Sequence, residues 1–264
     1  MKIVVVVPTY NERPNIAPLV ERTRAACARL PHVVALLVVD DGSPDGTADA
    51  VRRLQRDASD VHLLEGRKAG LGDAYLRGIG HAVDHLGADV VVQMDADLSH
   101  RPEDIPRLVA ALEEGAEFAI GSRYVDGCRV PHDWPLLRRL NSHWGNHVAR
   151  RLAKLGAIND CTAGFRAIRT PLVREMRPER LRVTGFALMV AMLHEAHLLG
   201  ARIREIPVEY VARTHGKSKL RVFDVAEFIF HAFTIRLNRA PVQHRKRRIR
   251  ADGRVFNPAR TSQR

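Results

Sequence analysis

The chain opens with an apolar run, Ile3-Val4-Val5-Val6-Val7, that breaks off at Pro8-Thr9-Tyr10-Asn11-Glu12. Similar runs recur at residues 33–39, 61–64, 90–94 and 118–121. They are short and mostly apolar, which predicts strands buried on both faces, as in a parallel sheet. Helix-like segments lie between them, at residues 14–30, 47–57, 72–86 and 102–114. Pro14 and Pro102 suit first-turn positions, where a missing N–H costs nothing, and Gly87 is placed to stop the third helix. Regular strand–helix alternation predicts an α/β, doubly wound and mainly parallel sheet. Beyond residue 121 the pattern loosens. A helix fits residues 136–155, another fits 186–199 up to Gly200, and a strand fits 203–211.

Two of the apolar runs end in paired carboxylates. The second runs into Asp40-Asp41-Gly42-Ser43-Pro44-Asp45-Gly46-Thr47, and the fourth into Asp95-Ala96-Asp97-Leu98-Ser99-His100. The C-terminal ends of strands are where open α/β sheets place ligands. Asp95 and Asp97 are two apart, so on an extended backbone they project to the same side. Two carboxylates converging there can share a hard divalent cation that bridges a nucleotide's phosphates. A solvated turn is the other reading of an isolated DxD, and the second acidic strand end favours the cation. The loop after the first strand has no GxGxxG, and no GxxxxGK[ST] occurs anywhere. A sheet that binds a nucleotide without either loop must rely on a metal and basic side chains.

Composition narrows the picture. The 264 residues suffice for one large α/β domain with an appendage. Three cysteines, Cys27, Cys128 and Cys161, fit free thiols in a reducing compartment. The N-terminal run is too short for a signal peptide, and no run of about 20 apolar residues predicts a membrane span. Net charge is +12, but residues 239–264 carry nine Lys/Arg against Asp252 alone, leaving +4 for the rest. A nucleic-acid binder would spread its basic residues over the folded surface, so no nucleic-acid partner is expected. A basic tail fits anionic lipid, at roughly 1 kcal/mol per Lys/Arg near the surface, or a disordered solubilising extension. Just before it, Asp224, Glu227, His231, Thr234 and Asn238 form one narrow polar stripe on an otherwise apolar segment. That segment suits a membrane interface, or docking on the catalytic domain or a partner.

In order and spacing these motifs resemble the dolichol- or polyprenol-phosphate mannose synthases, a family 2 branch of the inverting GT-A glycosyltransferases. The resemblance runs from about Val4 to Leu220. It rests on residues 8–12, 40–47, Gly70-Leu71-Gly72, residues 95–100, Gly121-Ser122-Arg123-Tyr124, residues 160–166 and Gly216-Lys217-Ser218-Lys219-Leu220. It implies a GT-A domain over residues 1–221, an amphipathic helix over 222–240 and a basic tail over 241–264. It implies metal-dependent transfer of mannose, with inversion, from GDP-mannose to a polyprenyl phosphate at the cytoplasmic face of a membrane. By position, Pro8, Tyr10, Glu12, Val39 and Asp41 would hold the guanosine portion, with Lys68 nearby. Asp95 and Asp97 would hold Mg²⁺ or Mn²⁺, and Ala96 would touch the donor through its backbone. Arg123, Arg213 and Lys219 would neutralise phosphates, and Arg138 and Ser142 would meet the acceptor phosphate. Asp95, Asp97 and Arg123 are the catalytic candidates. Need for a membrane-embedded protein partner stays open.

The chain departs from the family pattern Gly-Tyr-x-Phe-Gln-x-Glu, reading Gly185-Phe186-Ala187-Leu188-Met189-Val190-Ala191. Met189 and Ala191 replace the Gln and the carboxylate. An acceptor that needs no base fits this, as does a donor-binding paralogue with altered or lost acceptor activity. Another donor, UDP-glucose, is the nearest alternative. Ala163 stands where Ser is frequent, and His143 where Arg is. His81/His85 and His194/His197 read as surface or packing residues. Trp134 and Trp144 read as packing or interface anchors.

Overall fold

A computed structural model describes residues 1–128, 136–177, 180–181, 183, 185 and 187–211, with residues 136–143 described by backbone alone. Seven strands form one sheet: β1 (Lys2–Thr9), β2 (Val33–Asp40), β3 (Val61–Glu65), β4 (Val90–Gln93), β5 (Phe118–Ser122), β6 (Arg166–Arg169) and β7 (Ile203–Pro207). Their order is β3-β2-β1-β4-β6-β5-β7. β6 runs antiparallel to β4 and β5, and every other pairing is parallel. The helices are α1 (Arg13–Cys27), α2 (Thr47–Asp57), α3 (Leu71–Asp84), α4 (Ile105–Glu113), α5 (Leu136–Leu152), α6 (Thr170–Glu175) and α7 (Ala187–Leu198). A 3₁₀ turn over Pro102–Asp104 leads into α4.

Alternation along β1 and β2 sends side chains to two cores. Ile3, Val5, Val7, Leu36 and Val38 pack with residues of α1, α2 and α4 on one face. Val4, Val6, Leu37 and Val39 pack with residues of α3, α5 and α7 on the other. Both faces are therefore covered, which is why these strands are apolar without interruption. α7 is buried nearly all round, Met189 and Ala191 included. A helix enclosed on every side takes apolar residues throughout, so the two departures from the family pattern are core residues here.

Two elements escape the sequence pattern. β6 reads Arg-Ala-Ile-Arg, four residues with a charge at each end, and α6 follows it directly. The last strand ends at Pro207 instead of continuing to residue 211, because its partner β5 ends at Ser122, which pairs with Pro207. α1 ends at Cys27 and α5 at Leu152, each three residues short of expectation. The expected helix at 222–240 and basic tail at 241–264 lie outside the described residues, as do Trp134, Arg213 and Lys219. Among the described residues no helix is long and apolar enough to cross a membrane.

Candidate functional site

β1 lies between β2 and β4, so the C-terminal ends of three adjoining parallel strands open at one edge. Because β6 is antiparallel, its N-terminal end and the loop before it reach the same edge, with Gln93 opposite Arg166. Helix α3 comes close behind. A Cβ on Gly78 would stand 2.5 Å from Val6 Cγ1 and 2.7 Å from Val39 Cγ2, so glycine alone permits this approach. It places Tyr75 and Arg77 at the acidic strand ends. It also sinks the Val39 side chain fully in the core.

The first acidic end divides its labour. Asp40 is buried and accepts hydrogen bonds from Thr9 Oγ1 at 3.0 Å, Ser43 N at 2.9 Å and Ser43 Oγ at 2.6 Å. Asp45 accepts from Thr47 N at 3.0 Å and Arg13 N at 3.1 Å, and Thr47 Oγ1 accepts from Glu12 N at 3.1 Å. These bonds lock the loop after β2 to the loop after β1. Asp41 instead pairs with Arg77 of α3, which Asp73 also holds at 2.9 Å. Burial raises the Asp41 pKa, against the downward pull of Arg77 and of the Ala69 N–H. Lys68 lies 3.5 Å over the Tyr10 ring, joining the ends of β1 and β3. Pro8 closes this group within β1.

At the second acidic end, Asp95 is partly exposed and Asp97 is buried. Tyr75 donates its hydroxyl to Asp95 Oδ1 at 3.0 Å. Burial and the adjacent carboxylate hold the Tyr75 pKa well above its usual value, so it stays a donor. The Asp95 N–H donates to His100 Nδ1 at 3.0 Å, which puts the ring proton of a neutral imidazole on Nε2. That bond outweighs the 3.9 Å approach of the same Nδ1 to Asp95 Oδ2 as the description of the contact. His100 stacks on Phe165 at 5.2 Å. Asp97 Oδ1 accepts from Ser99 N at 3.0 Å and Ser99 Oγ at 2.6 Å. Ala96, between them, is buried.

This donor set fits a hard cation. The Asp95 carboxylate is bonded by the Tyr75 hydroxyl, and that of Asp97 by the N–H and hydroxyl of Ser99. A Cβ on Gly164 would lie 3.7 and 3.8 Å from the two Asp95 oxygens, so glycine keeps open the space in front of that carboxylate. Among the described residues no cluster of three His, Cys, Asp or Glu side chains could enclose a metal. A cation held by Asp95 and Asp97 would keep positions open to a nucleotide's phosphates, as suits Mg²⁺ or Mn²⁺.

Arg123 follows β5 and grips Asp160 with two parallel bonds of 2.8 Å, its backbone N–H adding a third at 3.0 Å. Its Nη2 also reaches Thr162 Oγ1 at 2.8 Å. Asp160 has no exposure, and despite burial the Arg123 charge holds its pKa below the usual carboxylate range. The loop carrying Asp160 is held in turn by Glu205, which accepts from Asn159 N and Asp160 N at 2.8 Å, and by Asn146 of α5. Behind it, Arg166 is fully buried and feels the Asp160 charge without a direct ion pair among the described residues. It donates to Met189 O at 2.5 Å and Cys161 O at 2.9 Å, and its Nε is unpartnered. Burial lowers its pKa to about 10, so it is charged at neutral pH.

Of the residues singled out in the sequence, Pro8, Tyr10, Glu12, Asp41, Lys68, Asp95, Ala96, Asp97 and Arg123 stand at this edge. Val39 offers the site only its backbone. Arg138 and Ser142 fall on α5, their side chains outside the described residues. Tyr75, Arg77, His100, Asp160, Arg166 and Tyr210 were not singled out. Tyr75 sits on the apolar face of α3 and reads as core, while Arg166 lies in a strand too short to show periodicity. His100, Asp160 and Arg166 carried a signal, as parts of motifs. Trp144 is exposed, 73% accessible, and lines a cleft of about 350 Å³ with His147 and Arg150.

Residues 4–177 match the family described as glycosyl transferase family 2. The chain is 38% identical over 231 residues to the polyprenol monophosphomannose synthase of Mycolicibacterium smegmatis, covering 87% of this chain and 84% of that protein. It is 39% identical over 222 residues to the undecaprenyl-phosphate mannosyltransferase of Micrococcus luteus, covering 83% and 88%. Among solved structures, glucosyl-3-phosphoglycerate synthase from Mycobacterium tuberculosis, in complex with Mn²⁺, UDP and glucosyl-3-phosphoglycerate, superposes with a TM-score of 0.62 at 20% identity. That alignment covers 89% of this chain and 78% of that one, and it identifies the GT-A fold.

Proposed function

The chain belongs to glycosyl transferase family 2, in its branch of polyprenol-phosphate mannose synthases, and from that membership we propose that it transfers mannose from GDP-mannose to a polyprenyl phosphate. The observation that carries the reading is the acidic end of β4: two carboxylates at a sheet's ligand-binding edge, with open space before Asp95. Tyr10, Glu12, Asp41 and Lys68 line the adjoining strand ends and would take the guanosine. Asp95 and Asp97 would hold Mg²⁺ or Mn²⁺. When bound, such an ion neutralises charge growing on the diphosphate as it leaves.

An acceptor phosphate oxygen attacks the anomeric carbon from the face opposite the diphosphate. The new C–O bond forms as the bond to GDP breaks, which inverts the centre. The acceptor is already an anion, so no base need take a proton. Met189 and Ala191, buried in α7, place no carboxylate where one would act. The requirement is instead for fixed positive charge, since preorganised electrostatics is often the largest catalytic contribution. Arg123, whose charge Asp160 already pairs, stands at this edge; Arg213, Lys219 and Arg138 are the further candidates, with Ser142 a neutral donor to the acceptor phosphate. The lipid acceptor puts the enzyme at a membrane surface, and residues 222–240 with the basic tail at 241–264 are the proposed attachment.

The test incubates the purified chain with Mn²⁺ or Mg²⁺, labelled GDP-mannose and polyprenyl phosphate in anionic vesicles, and follows label into the organic phase. Metal-dependent lipid label is expected, and removing residues 222–264 should lower vesicle binding without changing GDP affinity. Tight GDP binding with no lipid product would overturn the acceptor assignment. Label from UDP-glucose alone would overturn the donor.

A further inference from the structure

One side chain touches both the acidic loop and the arginine. After β7 the chain crosses to the loop of Asp95–His100, where Tyr210 forms an antiparallel bridge with His100 and Val211 N donates to Ser99 O at 3.2 Å. Arg101 pairs with Glu209. At its other end the crossing segment is tied to β5, Val208 N donating to Ser122 O at 3.3 Å. The Tyr210 ring meets His100 edge-on at 5.6 Å and lies 5.8 Å from the Arg123 guanidinium. Its hydroxyl is 3.0 Å from Ser99 Oγ.

The direction of that hydrogen bond is fixed by proton count. Ser99 has one hydroxyl proton, and the Asp97 carboxylate can only accept it, at 2.6 Å. The Tyr210 phenol is then the donor to Ser99 Oγ. The chain Tyr210–Ser99–Asp97 thus ends on the carboxylate, and each bond polarises the next. The turn it holds needs holding. Leu98, between Asp97 and Ser99, has φ +60°, a conformation that costs a side-chain-bearing residue roughly 1 kcal/mol and persists only when its surroundings enforce it. That conformation brings both the Ser99 N–H and its hydroxyl to one oxygen of Asp97.

We propose that Tyr210 is a positioning residue: acting through Ser99, it fixes the orientation in which the Asp97 carboxylate receives the divalent cation, and it registers that carboxylate against Arg123. The inference rests on Asp95 and Asp97 being the cation ligands. The sharpest variant is Tyr210→Phe, which deletes one hydroxyl and keeps the ring against His100. Mn²⁺ binding is read directly, by electron paramagnetic resonance of free Mn²⁺ in the presence of GDP, for the wild type, Tyr210→Phe, Ser99→Ala and the double variant.

Tyr210→Phe should weaken Mn²⁺ binding about five-fold while the protein stays folded. Saturating Mn²⁺ should restore its kcat. Ser99→Ala should weaken binding at least as much, and the double variant no further, because the Tyr210 effect passes through Ser99. Equal Mn²⁺ affinity in Tyr210→Phe and wild type would overturn the proposal, and so would additive losses in the double variant. A wild type that binds no Mn²⁺ would overturn the cation-ligand reading itself, a result distinct from the first because all four proteins would then be flat.

Discussion

Asp97 and Asp160 are two buried carboxylates at the same edge of the sheet, held in opposite ways. Asp97 is bonded by the neutral N–H and hydroxyl of Ser99. Asp160 is gripped by the Arg123 guanidinium through two parallel 2.8 Å bonds. Neutral donors orient a carboxylate and do not themselves cancel its charge. A bidentate arginine cancels that charge and fixes both partners. The first arrangement orients one carboxylate, and the second is a brace. The brace sets Arg123 at the mouth of the site, because the Asp160 loop is itself fastened by Glu205 and Asn146.

The largest effect tests the first member of the pair. Asp97→Ala should cut mannosyl transfer on the order of 10³-fold while circular dichroism shows a folded protein. Asp97→Asn, which can still accept from Ser99, should be nearly as inactive. An Asn variant with near-normal turnover would place the contribution of Asp97 in the turn and not in its charge.

Breaking the brace should act on stability first. Asp160→Asn leaves a buried guanidinium without its counter-charge and should lower the free energy of unfolding by about 3 kcal/mol in urea. The pH dependence has a definite sign. The folded Asp160 pKa lies below the unfolded value of about 3.9. Its contribution is therefore complete above that unfolded value and is lost as pH falls towards the folded one. The gap in stability between wild type and Asp160→Asn should narrow below pH 4. A gap that stays constant down to pH 2 would show that the ion pair does not carry the difference.

The two regions also differ in how much their residues disclosed. β1, β2 and β4 announced themselves as Val-rich runs because both faces of each are covered, and Asp95 and Asp97 because they end such a run. The Thr47–Asp57 helix was legible to the residue. On the other side the information is long-range. β6 is a strand because β4 and β5 flank it, and its two arginines hide that in any short window. Tyr210 reaches Ser99 across 111 residues, and Arg123 reaches Asp160 across 37. Asp40 stands beside Asp41 in the same acidic pair, yet Thr9 and Ser43 hold it as a loop clasp.

Gly164→Ala is a smaller intervention on the open side of the comparison. The added methyl would stand 3.3 Å from His100 Cε1 and within 3.8 Å of both Asp95 oxygens. The cation and diphosphate would have to shift, and roughly a ten-fold rise in the KM for the GDP-mannose–metal complex is expected. Thermal stability should hardly change. If KM holds and the thermal midpoint falls, Gly164 serves loop packing and the space before Asp95 is not where the cation enters.

Lys68→Ala should give the smallest effect, and it asks whether the nucleotide end of the site is built like the cation end or like the brace. Lys68 is exposed and lies 3.5 Å over the Tyr10 ring, so it adds little to folding. If it closes over a bound guanosine, its loss should weaken GDP binding about two- to five-fold by calorimetry, and Lys68→Arg should retain most of the affinity. If instead it covers the ring face that the base must take, Lys68→Ala should bind GDP more tightly and Tyr10→Leu more weakly. The first result makes Lys68 a clamp whose charge acts on the ligand, in the manner of Asp97. The second makes the Lys68–Tyr10 pair a contact within the protein, as with Arg123 and Asp160, but one weak enough to open.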